Sequence, residues 1–582
     1  MEAGQVDLKL LGRVLALAQP HRALFIRAGL MAVLLAPLAT SRPLLIQQMV
    51  DHHILSPNPS GLLWMTILIL VILIIEVAMR YSFMFATSLL GQSVVRDLRV
   101  RIFDHITHLQ LRYFDKTPIG ASTTRTISDI QTINEVFSQG TITILADLLT
   151  VGTVLIIMFF TSWKLTVICL VTMPFLILAS YLFKEKVKAA FQKVRHQLQQ
   201  MNTFLQEHIT GMRVVQIFSA EQKEREKFKT INRAYTRANI DSIMAYALFF
   251  PAVEIISATS LALMVWWGAR SAIGGDISLG ALIAFPIYLN MLFRPIRMLA
   301  DKFNTLQMGL VAAERVFGVL DNTTYLQESG SVEVTKLKGD IRFDHVRFAY
   351  DQENIILKDL SFTLESGHTM AIVGSTGSGK STIINILNRF YDIQSGEVTI
   401  DGRRIQDYNI FNLRQRIGMV LQDVFLFSGT VEENITLKDP AITRQQVEEA
   451  SKMIGAHEFI MRLPGGYDFQ VQERGATLSM GQRQLISFVR ALVFDPDILI
   501  LDEATSSIDS ETESVIQHAI ETLIARRTSI IIAHRLSTIR HADQILVLEG
   551  GELLESGSHD ALMQNPSGRY RELVEMQFAL ID

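Results

Sequence analysis

Residues 374–382 read GSTGSGKST, LSMGQ occupies 478–482, and ILILDE follows at 498–503. Gly374, Gly379, Lys380 and Ser381 fill the fixed positions of the G-x-x-x-x-G-K-[ST] loop, in which backbone N–H groups and a helix N-terminus hold phosphates. Ser375, Thr376, Gly377, Ser378 and Thr382 complete the segment. Lys380 is placed to reach the β and γ phosphates of ATP, and Ser381 to offer a hydroxyl to Mg²⁺. A strand-like TMAIVG (369–374) precedes the loop and a helical STIINILNRF (381–390) follows it, the context that separates this motif from a chance match.

The apolar strand that ends in Asp502 and Glu503 supplies a second metal ligand and a candidate general base. Two carboxylates at a strand end can also be plain surface residues, but a fully apolar strand in this topology points its end at the phosphate loop. His534 ends another apolar strand. Alone it reads as a structural histidine, and in this ordered set as a donor to the γ phosphate or to the base. Gln422 also follows a strand and is placed to touch Mg²⁺, while Tyr350, ahead of a polar turn, is placed to stack on adenine. Neither residue is informative by itself.

The elements that carry these residues are short strands: 341–350, 369–374, 417–422, 497–502, 528–534 and 544–551. Several are continuous apolar runs separated by helical segments, which predicts a parallel sheet covered on both faces. The stretch 321–340 (DNTTYLQESGSVEVTKLKGD) loses helical period and reads as a linker.

The first half of the chain has a different character. Of 582 residues, 49% are apolar, and the excess is concentrated early. Segments 23–48, 62–85, 141–161, 165–183, 247–269 and 279–299 approach the ~20 residues that cross a bilayer. Eighteen Lys and Arg lie in 86–140 and 184–246, against Lys164 and Arg270 in the short connections of the opposite side. The long loops therefore face the cytoplasm, and six spans put both termini there too, in the cell (inner) membrane. Residues 7–18 read as an interfacial amphipathic helix. A net charge of −4 suggests no nucleic-acid partner. Cys169, the single cysteine, excludes an intramolecular disulfide and reads as an apolar filler.

Glu76, Asp147 and Glu254 lie in or near apolar spans, where a charge costs ~2.5–3.5 kcal/mol on insertion scales. Glu76 and Arg80, four apart, can pair on one helix face, so a structural reading stands beside a pathway role. Asp147 and Glu254 are candidates for contact with a cationic substrate or a proton. The long cytoplasmic segments continue the membrane helices, with tips near FDKTPIG (114–120) and 209–221 placed to touch a cytoplasmic partner.

On these motifs the chain resembles a half-size ABC exporter of the type IV class, within the multidrug and lipid exporters (MdlB-like), over practically its whole length. The resemblance implies a multidomain protein: an all-α six-helix transmembrane domain (1–320), a linker (321–340) and an α/β phosphate-loop ABC domain (341–582). It assigns Tyr350 to adenine stacking, Gln422 to the Q-loop, Glu503 to the catalytic base, Asp509 in SSID to the D-loop and His534 to the switch. FDKTPIG matches the first coupling loop.

The resemblance also explains LSMGQ. In the family, this segment of one cassette closes over ATP held by the phosphate loop of another, so Ser479, Met480, Gly481 and Gln482 are expected at a neighbouring chain's ATP. Met480 replaces a glycine of the usual LSGGQ, and FQVQERG (469–475) departs from TEVGERG. Two departures in one cross-subunit region favour a second, non-identical half-transporter over a second copy. The expected activity is ATP-driven export or flipping of an amphipathic drug-like compound or lipid across the bilayer. An ATP-gated channel or regulatory subunit is the competing class, against which intact Glu503 and His534 argue.

Overall fold

The computed structural model describes residues 7–324, 330–351, 354–502, 510–525, 527–532 and 539–578. It forms two compact units. One holds residues up to Thr107 together with Pro118–Thr323, and the other holds His108–Thr117 together with the chain from Thr324 onward.

In the first unit, six helices among the described residues are long and apolar enough to cross a membrane: Gln19–Ile54, Pro59–Thr107, Ile119–Thr161, Trp163–Thr210, Glu221–Ile273 and Leu279–Leu320. They are spans 1 to 6. The second has 49 residues, about 73 Å at 1.5 Å per residue, so it outreaches a ~30 Å hydrocarbon layer more than twofold. This matches the expectation that the membrane helices continue past the bilayer. Large apolar side chains point outward, among them Trp64 and Phe160, the pattern of a surface solvated by lipid. Spans 4 and 5 pack along each other, and spans 1, 2, 3 and 6 form the other main set of contacts. Val154, Met158, Leu165, Cys169, Phe285, Tyr288 and Leu292 build a closed core, in which Cys169 is the expected filler.

Span 3 carries two π-helical turns, Arg125–Asp129 and Val136–Gly140, each a local widening of the helix. The first places the buried Asp129 against Arg315 of span 6, with Nε–Oδ2 at 3.0 Å and Nη2–Oδ1 at 2.6 Å. The N-terminal helix Leu8–Ala16 starts on an Asp7 cap and buries Leu10 and Val14. Its Arg13 forms a two-pronged ion pair with Asp321, at 2.8 and 2.9 Å, with the guanidinium over the Phe317 ring at 4.1 Å. An acidic residue at the end of span 6 opposes the helix dipole, and Arg13 offsets it.

The second unit contains twelve strands among its described residues. We number them β1 (Ile341–Asp351), β2 (Asn354–Leu364), β3 (Thr369–Gly374), β4 (Ser395–Ile400), β5 (Arg403–Arg404), β6 (Ile417–Val420), β7 (Gly429–Thr430), β8 (Gln470–Val471), β9 (Ile498–Asp502), β10 (Thr528–Ile532), β11 (Gln544–Glu549) and β12 (Glu552–Gly557). Six form one sheet in the order β12-β11-β3-β10-β9-β6, parallel except for β12 at the edge. Its continuous apolar strands divide by alternation between two cores. Ala371, Val373, Leu499, Leu501, Ile531 and Val547 face the helical side, whereas Ile372, Ile498, Ile500, Ile530, Ile532 and Leu546 face a second sheet. Burial of both faces is what made these strands uniformly apolar.

That second sheet is antiparallel, β2-β1-β4-β5. Residues 341–350, expected as a strand, therefore lie in this antiparallel sheet and not in the parallel one. The segment 332–340 is held by this unit. Leu337 is buried, and the Asp401 carboxylate accepts the N–H groups of Lys338, Gly339 and Asp340 at 2.8–3.0 Å.

Candidate nucleotide site

Strand β3 lies in the middle of the parallel sheet between β10 and β11, so its C-terminal end opens where several strands finish. The loop after it turns into the helix Lys380–Leu387. Gly379 caps that helix at φ 101°, in the left-handed region, and a Cβ there would sit 2.7 Å from Leu357 Cδ2. At Gly374 (φ 155°) a Cβ would meet the Leu548 carbonyl oxygen at 2.2 Å. The fixed glycines of the motif are thus required by the backbone path as well as by any ligand. Ser375, Thr376 and Gly377 are exposed at the rim, while Ser378 and Gly379 are buried beneath it.

Lys380 Nζ donates to the carbonyls of Gly374 at 2.8 Å and Ser375 at 2.9 Å, which draws the ammonium across the loop. Burial pulls its pKa below the ordinary lysine value, and the charge of Asp502 at the end of β9 works against that shift. Asp502 pairs in register with Ile532, and Ile532 with Ile372, so the carboxylate stands two rows before Gly374 across the sheet. Backbone donors, a lysine and a helix N-terminus make a fit for phosphate. The Ser381 hydroxyl and the Asp502 carboxylate are hard oxygen donors of the kind Mg²⁺ takes, and Asp502 is near enough to Lys380 for its charge to act on the ammonium.

Tyr350 comes from β1 and is half-buried. Its hydroxyl lies 3.3 Å from Thr382 Oγ1 and accepts from Asn385 Nδ2 at 3.1 Å, which ties it to the loop helix. Its ring meets Tyr391 edge-on, with centroids 4.9 Å apart at 90°. The structure therefore brings Tyr350, the phosphate loop, Lys380, Thr382 and Asp502 together. Gln422 is exposed two residues past β6. Glu503, Asp509 and His534 lie outside the described residues. Sequence reasoning missed Asn385 and Tyr391. The aromatic position just after the loop helix was the available signal.

Ser479 stands at the N-cap of the helix Met480–Val493, and Gln482 completes a capping box with it. Met480 occupies the first helical position, where helical dihedrals suit any side chain except for small propensity differences, so its replacement of glycine needs no distorted backbone. Gly481 is buried. Among the described residues, no hydrogen bond or ion pair joins Ser479–Gln482 to the phosphate loop.

In the membrane unit, Glu76 is buried and takes Arg80 Nη2 at 2.9 Å and Arg42 Nη2 at 3.4 Å. The expected i,i+4 partner is present, together with one from span 1. Asp147 pairs with Lys302 of span 6, so its counter-charge comes from within the chain. A pocket of ≈ 500 Å³ opens beside Asp147, lined by Leu148, Val151, Ile177, Ser180, Tyr181 and Ile296 among others. Glu254 is exposed on span 5.

Two family models match the chain: the ABC transporter transmembrane region over residues 25–296, and the ABC transporter model over 357–506. Full-length similarity is extensive. An uncharacterised ABC transporter ATP-binding protein of Bacillus subtilis, YknV, is 39% identical over 97% of this chain and 94% of its own length. An ATP-dependent lipid A-core flippase of Syntrophus aciditrophicus is 34% identical over 99% of this chain and 96% of its own. A probable multidrug resistance ABC transporter ATP-binding/permease protein of B. subtilis, YheH, is 37% identical over 90% of this chain and 78% of its own.

Proposed function

This chain belongs to the ABC transporter family as a half-size type IV exporter, a multi-pass membrane protein that couples ATP hydrolysis to export, and from that premise we propose how it works. Two half-transporters pair, a non-identical partner being favoured over a second copy by Met480 and the altered FQVQERG. ATP closes the two cassettes, the coupling loops carry that motion, and the membrane cavity switches from inward- to outward-facing. Hydrolysis resets the cycle. The cargo is amphipathic, a lipid or a drug-like compound, a reading supported by relatives named as a lipid A-core flippase and a multidrug resistance transporter. The protein sits in the cell (inner) membrane with both termini and the ATP domain in the cytoplasm.

One observation carries the two-chain reading: the phosphate loop and Ser479 each lead into a helix N-terminus, the place that holds anions, yet among the described residues no hydrogen bond or ion pair joins the two. In our reading Tyr350 stacks on adenine, and the N–H groups of residues 375–382 with Lys380 hold the phosphates. Glu503 takes a proton from the attacking water, His534 donates to the γ phosphate, and Asp509 lies at the junction of the cassettes. Mg²⁺, held by Ser381, Asp502 and Gln422, would offset phosphate charge when bound. Ser479 and the N–H groups of Met480 and Gly481, with Gln482 fixing the cap, serve the neighbouring chain's nucleotide.

ATP hydrolysis by the purified chain, alone and with candidate partners, tests this. Stimulated turnover is expected in at least one combination, and Glu503→Gln should cut it ~10²–10⁴-fold with ATP still bound. No stimulated hydrolysis in any combination would leave the gated-channel or regulatory class standing.

A further inference from the structure

Ile177, Ser180 and Tyr181 follow Met173 along span 4 at helical spacing and share one face of it. That face, with Leu148 and Val151 of span 3 and Ile296 of span 6, walls the ≈ 500 Å³ pocket beside Asp147. The volume lies within the ~300–1,000 Å³ of sites that bury one small molecule. Most of the wall is aliphatic. Ser180 is an exception, because its buried hydroxyl has no hydrogen-bond partner among the described residues. A hydroxyl in that state costs free energy until something answers it.

The other polar point is an ion pair rather than a lone charge. Lys302 donates to the Asp147 carboxylate, and the two side chains keep 21% and 30% of their surface exposed. An ammonium has three donors and a carboxylate about four acceptor positions, and the bond between them takes one of each. The pair therefore presents a further donor and a further acceptor side by side, with no net charge. A head group with one charge of either sign meets attraction from one member and repulsion from the other. A head group that carries both charges meets attraction from both.

In the proposed orientation Asp147 and Lys302 lie toward the cytoplasmic ends of spans 3 and 6. The pair then stands near the head-group level of the inner leaflet, while Val151 and Met173 follow toward the bilayer centre. We propose that this pocket binds a zwitterionic amphipath, its apolar chain along the wall and its head group on the Asp147–Lys302 pair, and that the pair selects against head groups of net charge. The inference rests on the reading that the cargo is amphipathic and narrows it to one charge class.

The test is photolabelling of the full chain in an uncharged maltoside detergent with a lysophosphatidylethanolamine that carries a diazirine on its acyl chain. Mass spectrometry should find the label at Leu148, Val151, Ile177 or Ile296. Unlabelled lysophosphatidylethanolamine should displace it about tenfold more effectively than lysophosphatidylglycerol or an alkylamine of equal chain length, the scale of one hydrogen bond to a charged group. Asp147→Asn leaves the Lys302 charge unanswered, so lysophosphatidylglycerol should become the better competitor. Lys302→Gln leaves Asp147 unanswered, so the alkylamine should. Opposite shifts in the two variants cannot come from a general loss of structure. Label found only elsewhere in the membrane unit overturns the pocket. Label in the pocket with one order of competitors in all three proteins overturns the selection. ATP hydrolysis in the same samples separates this inference from the export reading: pocket label and the expected order without stimulated hydrolysis support the site and count against export, whereas stimulated hydrolysis with no label in the pocket counts against the site alone.

Discussion

The Ser479 hydroxyl accepts the Gln482 amide N–H at 3.2 Å, and the Gln482 side-chain oxygen accepts the Ser479 amide at 3.0 Å. Each satisfies a donor that the start of a helix leaves over. Ser479→Ala should cost the helix about 1 kcal/mol, visible as faster amide exchange at its first turn. Turnover should fall about tenfold, the effect of losing one hydrogen bond to a charged group, while ATP affinity of the single chain stays unchanged. A parallel loss of single-chain ATP affinity would place Ser479 in the same half-site as Lys380.

Glu76 is an acid between two bases. Its side chain is 4% exposed, and Arg80 and Arg42 approach opposite oxygens. Glu76 is buried but Arg42 and Arg80 are 36% and 52% exposed, so Glu76→Ala leaves two partly exposed cations and should destabilise the protein by about 1 kcal/mol. Thermal unfolding of the detergent-solubilised chain checks this. An unchanged midpoint would free Glu76 for a part in the transport pathway.

Acid should loosen a particular turn of the ATP domain. Glu433 and Thr430 cap the helix Val431–Thr436, with Thr430 N–H to Glu433 Oε2 and Glu433 N–H to Thr430 Oγ1 both at 3.0 Å. The backbone N–H of Thr430, with help from Lys438, holds the Glu433 carboxyl below the ordinary glutamate value. Its contribution is therefore complete above the unfolded value of about 4.3 and is lost as pH falls through the lower folded one. Exchange protection of residues 430–436, corrected for intrinsic rates, should drop over that acid window. In Glu433→Gln the drop should be absent, and an identical acid limb in both proteins would exclude Glu433 as its source.

The sequence was most legible where one periodicity or one motif governs the element. Six apolar stretches became six long helices, and the uniform strands around Thr369–Gly374 became a sheet buried on both faces. Strand β2 lies outside the expected strands because NIILKDLSFTL is interrupted by charge, and apolar content does not reveal that its partner Ile341–Asp351 pairs antiparallel in a separate sheet. Local pairs such as Glu76–Arg80 follow from helical spacing. The Asp115–Tyr391 contact spans 276 positions, and Asp147–Lys302 spans 155, distances over which spacing carries no information.

The central claim is that this half-transporter exports its cargo with an ATP site completed by a second chain. It is tested most directly by counting chains per nanodisc while measuring ATP binding and hydrolysis. Discs that hold one copy should bind ATP through the phosphate loop without hydrolysing it. Discs that hold two half-transporters, a second copy or a partner, should hydrolyse ATP faster when an amphipathic substrate is added. Equal hydrolysis per chain in one-copy and two-copy discs would contradict the account.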